Sequence, residues 1–218
     1  MKTKTKFSKQ TATMVECAIL IALGTILSII PTPHLPWGGS ITVGSMLPLV
    51  IIGYRHGLKW GMFSSTIYSL IQMLLGGGTI SAAFAPGNMK WYLAVLMVLL
   101  DYLFAFSLVG LSGLFRNKEM PSKSLALGAL VGTSARFVMH FLSGWILWGA
   151  WASWFFEDFD SRTGGSFGKF VLTHFDGQML SCVYSLIYNG LYMIPEIIIT
   201  VVLAIFIGKI PQISKELK

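Results

Sequence analysis

The sequence predicts an all-α integral membrane protein with six transmembrane helices, on three observations. Of its 218 residues 54% are hydrophobic and only 11% charged, and the mean hydropathy is +0.70. Soluble domains carry about a quarter charged residues. The hydrophobic residues gather into runs of helical-span length. The charges sit at the edges of those runs, with Lys and Arg heavily favouring alternate edges. That is how topology signals are distributed, so the net charge of +7 does not describe a phosphate-binding face. Nucleic acid is not an expected partner.

The first span, about residues 12–30, follows a basic tail with Lys2, Lys4, Lys6 and Lys9. It lacks the small-residue cleavage site of a signal peptide. It stops at Pro31-Thr-Pro33. The loop to Ser40 (PTPHLPWGGS) is too irregular to face lipid. The second span, about 41–53, runs into a basic turn with Arg55 and Lys59. The third, about 60–75, ends at Gly76-Gly-Gly78, and a loop continues to Met89. Crossing hydrocarbon takes ~20 residues, so the second and third spans are short and are expected beside a cavity.

The fourth span, about 91–115, is closed by Arg116, Lys118 and Lys123. The fifth covers about 125–149. A polar and aromatic loop, 150–175, carries Glu157, Asp158 and Asp160. The sixth span, about 177–208, is interrupted by Pro195, and a tail with Lys209, Lys215 and Lys218 follows. One membrane domain, 1–218, with no internal repeat, is the expected organisation.

Lys and Arg give the orientation. The N-terminal tail, the turn at Arg55, the turn at Arg116 and the C-terminal tail hold twelve; the opposite side holds Lys90, Arg162 and Lys169, and Arg136 lies within a span. Both termini are therefore expected in the cytoplasm, with the protein multi-pass in the cell membrane.

The fifth span carries chemistry that lipid does not need. Arg136, His140, Gly144 and Trp148 recur every four residues, on one slowly drifting helical face. They offer a fixed donor, a titratable ring, a gap without a side chain and a flat indole. At ~1.5 Å per residue, His140 lies ~14 Å and Arg136 ~20 Å below the outer surface. Asp101 in the fourth span comes to ~15 Å, and Tyr184 and Asn189 in the sixth to ~10 and ~18 Å. Three helices thus bring polar groups to one layer outside the midplane. A charge at span centre costs about 2.5–3.5 kcal/mol, and pairing Asp101 with Arg136 would offset much of that. Trp37, in the rigid outer loop, is placed to close a cavity opening outward. Glu196 lies too deep for that layer, and a backbone partner at the Pro195 break is its expected role. The other tryptophans read as interfacial belt residues.

Ala18 and Ala22 form a small-residue stripe where another helix can approach closely. Cys17 and Cys182 stand singly in apolar runs and imply neither disulfide nor metal cluster. The four histidines have no metal-ligand spacing. Gly164-Gly-Ser-Phe-Gly-Lys169 is not a nucleotide-binding loop, so the chain does not itself use ATP in the usual way. Ser143 and His140, three apart, do not assemble a nucleophilic site, and no enzymatic activity is expected.

In combination these residues resemble a known family. The size, the six spans, the Ala18/Ala22 stripe and the tryptophan-bearing loop are similar to the substrate-binding S components of energy-coupling factor (ECF) transporters. More narrowly, Leu35-Pro-Trp-Gly-Gly, Asp101-Tyr102, Arg136-x-x-x-His140-x-x-x-Gly144-x-x-x-Trp148 and Tyr184-x-x-x-x-Asn189-Gly resemble the thiamine-specific ThiT family.

The resemblance implies high-affinity capture of thiamine from outside. It also implies two kinds of partner, a transmembrane coupling protein and two cytoplasmic ATPases that use the ATP. Asp101 would face the thiazolium cation, with His140 and Trp148 packed on that ring. Tyr184 and Asn189 would meet the aminopyrimidine, Trp37 would close the site, and Ala18 and Ala22 would face the coupling protein; Tyr102, Arg136 and Gly144 complete the expected lining. The family position reads Glu-Tyr where this chain has Asp101-Tyr102, which keeps the charge and gives up about one methylene of reach. The alternatives are an S component for another vitamin, a stand-alone secondary transporter of a small cationic heterocycle, and an intramembrane hydrolase using Ser143. If the chain is an S component, Ser143→Ala is expected to have little effect.

Overall fold

Helix dominates, and its breaks fall where the sequence supplies glycine, proline or charge. The structure is a computed structural model describing residues 9–30 and 35–214. Lys2, Lys4 and Lys6, the Pro31-Thr-Pro33 stop with His34, and Lys215 and Lys218 lie outside the described residues. Among the described residues there is no strand. The helices are α1 (Lys9–Ile29), α2 (Leu47–His56), α3 (Leu58–Leu75), α4 (Gly77–Phe84), α5 (Trp91–Leu114), α6 (Pro121–Leu147), α7 (Ala152–Thr163), α8 (Phe167–His174), α9 (Gly177–Ile207) and α10 (Pro211–Ser214).

Four of these, α1, α5, α6 and α9, are long and apolar enough to cross a membrane, and α3 and α4 reach that length and apolarity only when taken together, across a bend of 67°. The expected second span is α2, which has 10 residues. It reaches ~15 Å, half of the ~30 Å of hydrocarbon. Leu47 through Tyr54 are nevertheless all buried. That run is apolar because protein surrounds it, not because lipid does.

Three further expectations change. The stretch after Gly76 is not simply a loop, because α4 turns back from α3 there. A Cβ on Gly76 would lie 2.3 Å from the Tyr102 hydroxyl, so the bend needs glycine for close approach. Pro195 does not interrupt the sixth span: α9 runs through it, giving up the hydrogen bond that proline cannot donate. The segment 150–175 folds into a helical hairpin, α7 and α8. Its turn is Gly164 in the left-handed region (φ +67°). The Asp160 carboxylate then accepts from the backbone N–H groups of Gly168 (2.6 Å) and Lys169 (2.7 Å), satisfying donors at the start of α8.

The end of the bundle bearing Arg55 and Arg116 is solid. There α2, α3, α5 and α6 meet along glycines and serines. A Cβ on Gly110 would lie 2.6 Å from the backbone of Gly61, and one on Gly132 2.6 Å from the Val109 carbonyl oxygen. Arg116 closes this end by donating to the Tyr54 and Arg55 carbonyls, each at 2.8 Å. Arg55 and His56 reach Glu16 of α1. At the opposite end the helices diverge around a cavity of about 860 Å³.

Candidate functional site

The cavity is within the size range of small-molecule sites. Its wall includes every residue expected at the site: Trp37, Asp101, Tyr102, Arg136, His140, Gly144, Trp148, Tyr184 and Asn189. Ser28, Gln72, Thr79, Phe106, Tyr188 and Tyr192 also contribute, and these were not foreseen.

Local winding of α5 presents the carboxylate. After an α-helical start the chain becomes π-helical over Val98–Phe104, returns to α for three residues, then tightens to 3₁₀ over Leu108–Leu114. Insertions of π geometry frequently occur at functional sites. Here the wide turn lets two consecutive residues, Asp101 and Tyr102, both line the cavity. The tight turn below it brings Gly110 and Gly113 against α3.

Asp101 does not pair with Arg136, contrary to the sequence expectation. Its Oδ1 accepts from His140 Nδ1 at 3.1 Å, and its Oδ2 from Ser143 Oγ at 2.7 Å and Trp148 Nε1 at 3.4 Å. All three donors are on or at the end of α6, spread over about two helical turns. A carboxylate has about four lone-pair sites, so one remains for a ligand. His140 Nε2 has no hydrogen-bond partner among the described residues. The imidazole is held edge-on between Phe106 (6.3 Å) and Tyr192 (6.5 Å). Because the Ser143 hydroxyl donates to Asp101, it is not activated by His140, and the hydrolase alternative loses its geometry.

Arg136 pairs instead with Glu196 of α9, Nη1 to Oε2 at 2.9 Å. Glu196 is thus a side-chain partner at the depth of Arg136, not a backbone partner at a helix break. The guanidinium carbon lies 4.6 Å from the centre of the Phe106 ring, a cation–π contact. Glu196 also accepts from the hydroxyls of Thr42 and Ser45, which precede α2. Periodicity along α6 pointed to Arg136 but not to its partner. The available signal was an acid inside an apolar span, which requires a base at equal depth.

Gly144 serves two ends. A Cβ there would lie 2.3 Å from Ser185 Oγ and 3.0 Å from Asn189 Nδ2, so much of the expected gap is taken up by close approach of α9 to α6. Asn189 fastens that approach, donating to the carbonyls of His140 (3.2 Å) and Ser185 (2.9 Å), while its Oδ1 accepts from Tyr192 (2.7 Å). One Oδ1 lone pair remains. Tyr184 meets Phe155 of α7 edge-on at 5.4 Å and lies tilted against Tyr188 at 5.5 Å, giving the cavity an aromatic side. Tyr102 reaches the Gly76 carbonyl at 3.5 Å and thereby meets the α3–α4 bend.

Trp37 is held against the hairpin. Its ring packs on Phe159 (5.5 Å) and against the edge of Phe155 (5.1 Å), and its Nε1 donates to Asp158 at 2.8 Å. Gly38 and Gly39 both have left-handed φ (+94° and +65°), which turns the chain sharply after the indole. Asp158 is partly exposed and also bound by Arg162. That guanidinium, with the Trp37 indole adding to it, holds the carboxyl below its usual range. Ala18 and Ala22 lie far from all this, both exposed on α1.

A family model described as "Thiamine transporter protein (Thia_YuaJ)" matches residues 14–154. The chain belongs to this family. A Bacillus subtilis relative named "Thiamine transporter ThiT" is 28% identical over 221 residues, covering 95% of this chain and 96% of that protein. A relative of the same name from Lacticaseibacillus paracasei is 30% identical over 158 residues, 66% of this chain and 72% of that one. A solved structure of ThiT from Listeria monocytogenes superposes with a TM-score of 0.65 at 20% identity, over 95% of this chain and 99% of that chain. The fold is shared with that structure, and the protein is a multi-pass membrane transporter by family.

Proposed function

We propose that this chain captures thiamine from outside the cell as the S component of an ECF transporter. It hands the vitamin inward when joined to a transmembrane coupling protein and two ATPases. The chain itself performs no catalysis and needs no cofactor; ATP is consumed by the partners. Both termini face the cytoplasm.

The observation that carries the reading is one carboxylate, held by three donors from a single helix, in a cavity with aromatic walls. Thiamine is a flat monocation with a hydrogen-bonding heterocycle. Asp101 supplies the counter-charge, and Trp148 and His140 supply faces for the thiazolium. Cation–π contact of this kind is worth ~2 kcal/mol or more when desolvated. Tyr184 and the remaining Asn189 lone pair serve the aminopyrimidine side.

Titration of the purified chain with thiamine tests this. Trp37, Trp148, Trp151 and Trp154 all line the cavity, so a saturable change in tryptophan fluorescence is expected. A flat trace would overturn the reading. Trp148→Ala should weaken binding about tenfold, the loss of roughly 1.4 kcal/mol of stacking.

The geometry revises the expectation for Ser143→Ala. The hydroxyl is fully buried and makes the shortest of the three bonds to Asp101. Its removal should weaken thiamine binding about fivefold, for the ~1 kcal/mol typical of one hydrogen bond, in the same titration. An unchanged affinity would mean that His140 and Trp148 suffice to orient the carboxylate.

A further inference from the structure

The acidic and basic side chains lining the cavity are Asp101 and Arg136, whose formal charges sum to zero. A wall of no net charge is a poor trap for a cation. Glu196 lies outside that lining, 1% exposed, with its carboxylate 2.9 Å from Arg136. From the reading above, that the ligand is a thiazolium, we infer that Glu196 sets the charge preference of the site. It cancels Arg136 from behind and leaves the Asp101 charge in excess.

The arrangement separates two carboxylates that one guanidinium could otherwise serve in turn. Arg136 is held on the Glu196 side by the ion pair and by the face of Phe106. Asp101 is held away from it by its three donors His140, Ser143 and Trp148. Were Arg136 to pair with Asp101, the site would lose its excess charge at the atom meant to meet the ligand. Thr42 and Ser45 complete the shell around Glu196, so its carboxylate is oriented before any ligand arrives. Glu196 is a positioning residue: it touches no ligand and acts through Arg136.

A merely structural role would weaken all ligands alike, whereas a charge-setting role changes the ratio between cation and neutral isostere. The experiment is a paired titration of the full chain with thiamine and with its isostere in which carbon replaces the cationic ring nitrogen, giving a neutral thiophene. In Glu196→Gln, thiamine affinity should fall about tenfold or more, as expected for one uncompensated charge nearby at intermediate dielectric. Affinity for the neutral isostere should change by no more than about twofold, which also shows that the variant is folded. The double variant Arg136→Met with Glu196→Gln should restore the wild-type ratio, and Glu196→Asp should keep it. Equal losses for both ligands, or an unchanged ratio, would overturn the proposal alone. Failure of the wild-type chain to bind thiamine would overturn the functional reading and this inference with it.

Discussion

Asp101→Asn is expected to weaken thiamine binding roughly a hundredfold or more, a loss of about 3 kcal/mol. The substitution keeps shape and removes charge. Truncating one partner of a buried, hydrogen-bonded charge pair commonly costs 2–5 kcal/mol or more, because the other charge is left uncompensated. Here the other charge is the ligand's. With Asp101 neutral, the balance of the surroundings becomes Arg136 against Glu196, and no excess negative charge remains for a thiazolium. The amide also brings an N–H₂ group to a position where three donors converge, so one of them must turn away or, for His140 or Ser143, accept in place of donating. The measurement is again tryptophan fluorescence, with the neutral thiophene isostere as control. An affinity within threefold of wild type would remove Asp101 from its role.

Much of this site was legible because helical spacing and depth are simple functions of residue number. Arg136, His140, Gly144 and Trp148 at steps of four, with Asp101 at matching depth on another span, do meet at one cavity. What failed was the choice of partners. Depth at ~1.5 Å per residue puts Asp101 and Arg136 within a turn of each other. It carries no information about azimuth, and the π segment in α5 shifts azimuth further. Pairing therefore went to Glu196, which lies on a helix that proline seemed to break. A proline within a span removes one backbone bond without requiring the helix to stop when neighbours pack around it. The hairpin of α7 and α8 was missed for another reason. Its helices are short, and the start of α8 is capped from a distance by Asp160, not by Ser166 directly ahead of it.

The two ends of the molecule divide the work. Glycine and serine packing makes the Arg55 end a unit with little room to adjust, whereas the cavity end is held by side-chain bonds that a ligand can join or replace. Glu196 belongs to both. It anchors the segment entering α2 through Thr42 and Ser45, and it balances the arginine of the cavity wall. The wall of the cavity is thereby joined, through side chains in direct contact, to the segment that leads into α2.

Ala18→Trp is expected to abolish thiamine uptake while leaving binding within about twofold of wild type. Helix α1 is the least buried of the four long spans, with 17% of its apolar window covered. Its buried residues, Cys17, Ile21 and Gly24, fix which side meets the bundle. Ala18 and Ala22 lie off that side and exposed, where a partner helix can come to backbone distance. Val15 and Ile19 alongside line an apolar groove with Ile51 and Ile213. An indole at Ala18 would hold any such helix several ångströms away, without reaching Asp101 or its donors. The check is paired: titration in detergent, then ATP-driven uptake in proteoliposomes containing the coupling protein and ATPases. Leu186→Trp, on the exposed side of α9, provides the bulk control and should transport normally. Normal uptake by Ala18→Trp would show that the coupling protein docks elsewhere, and reduced binding would show that α1 shapes the cavity and not the contact.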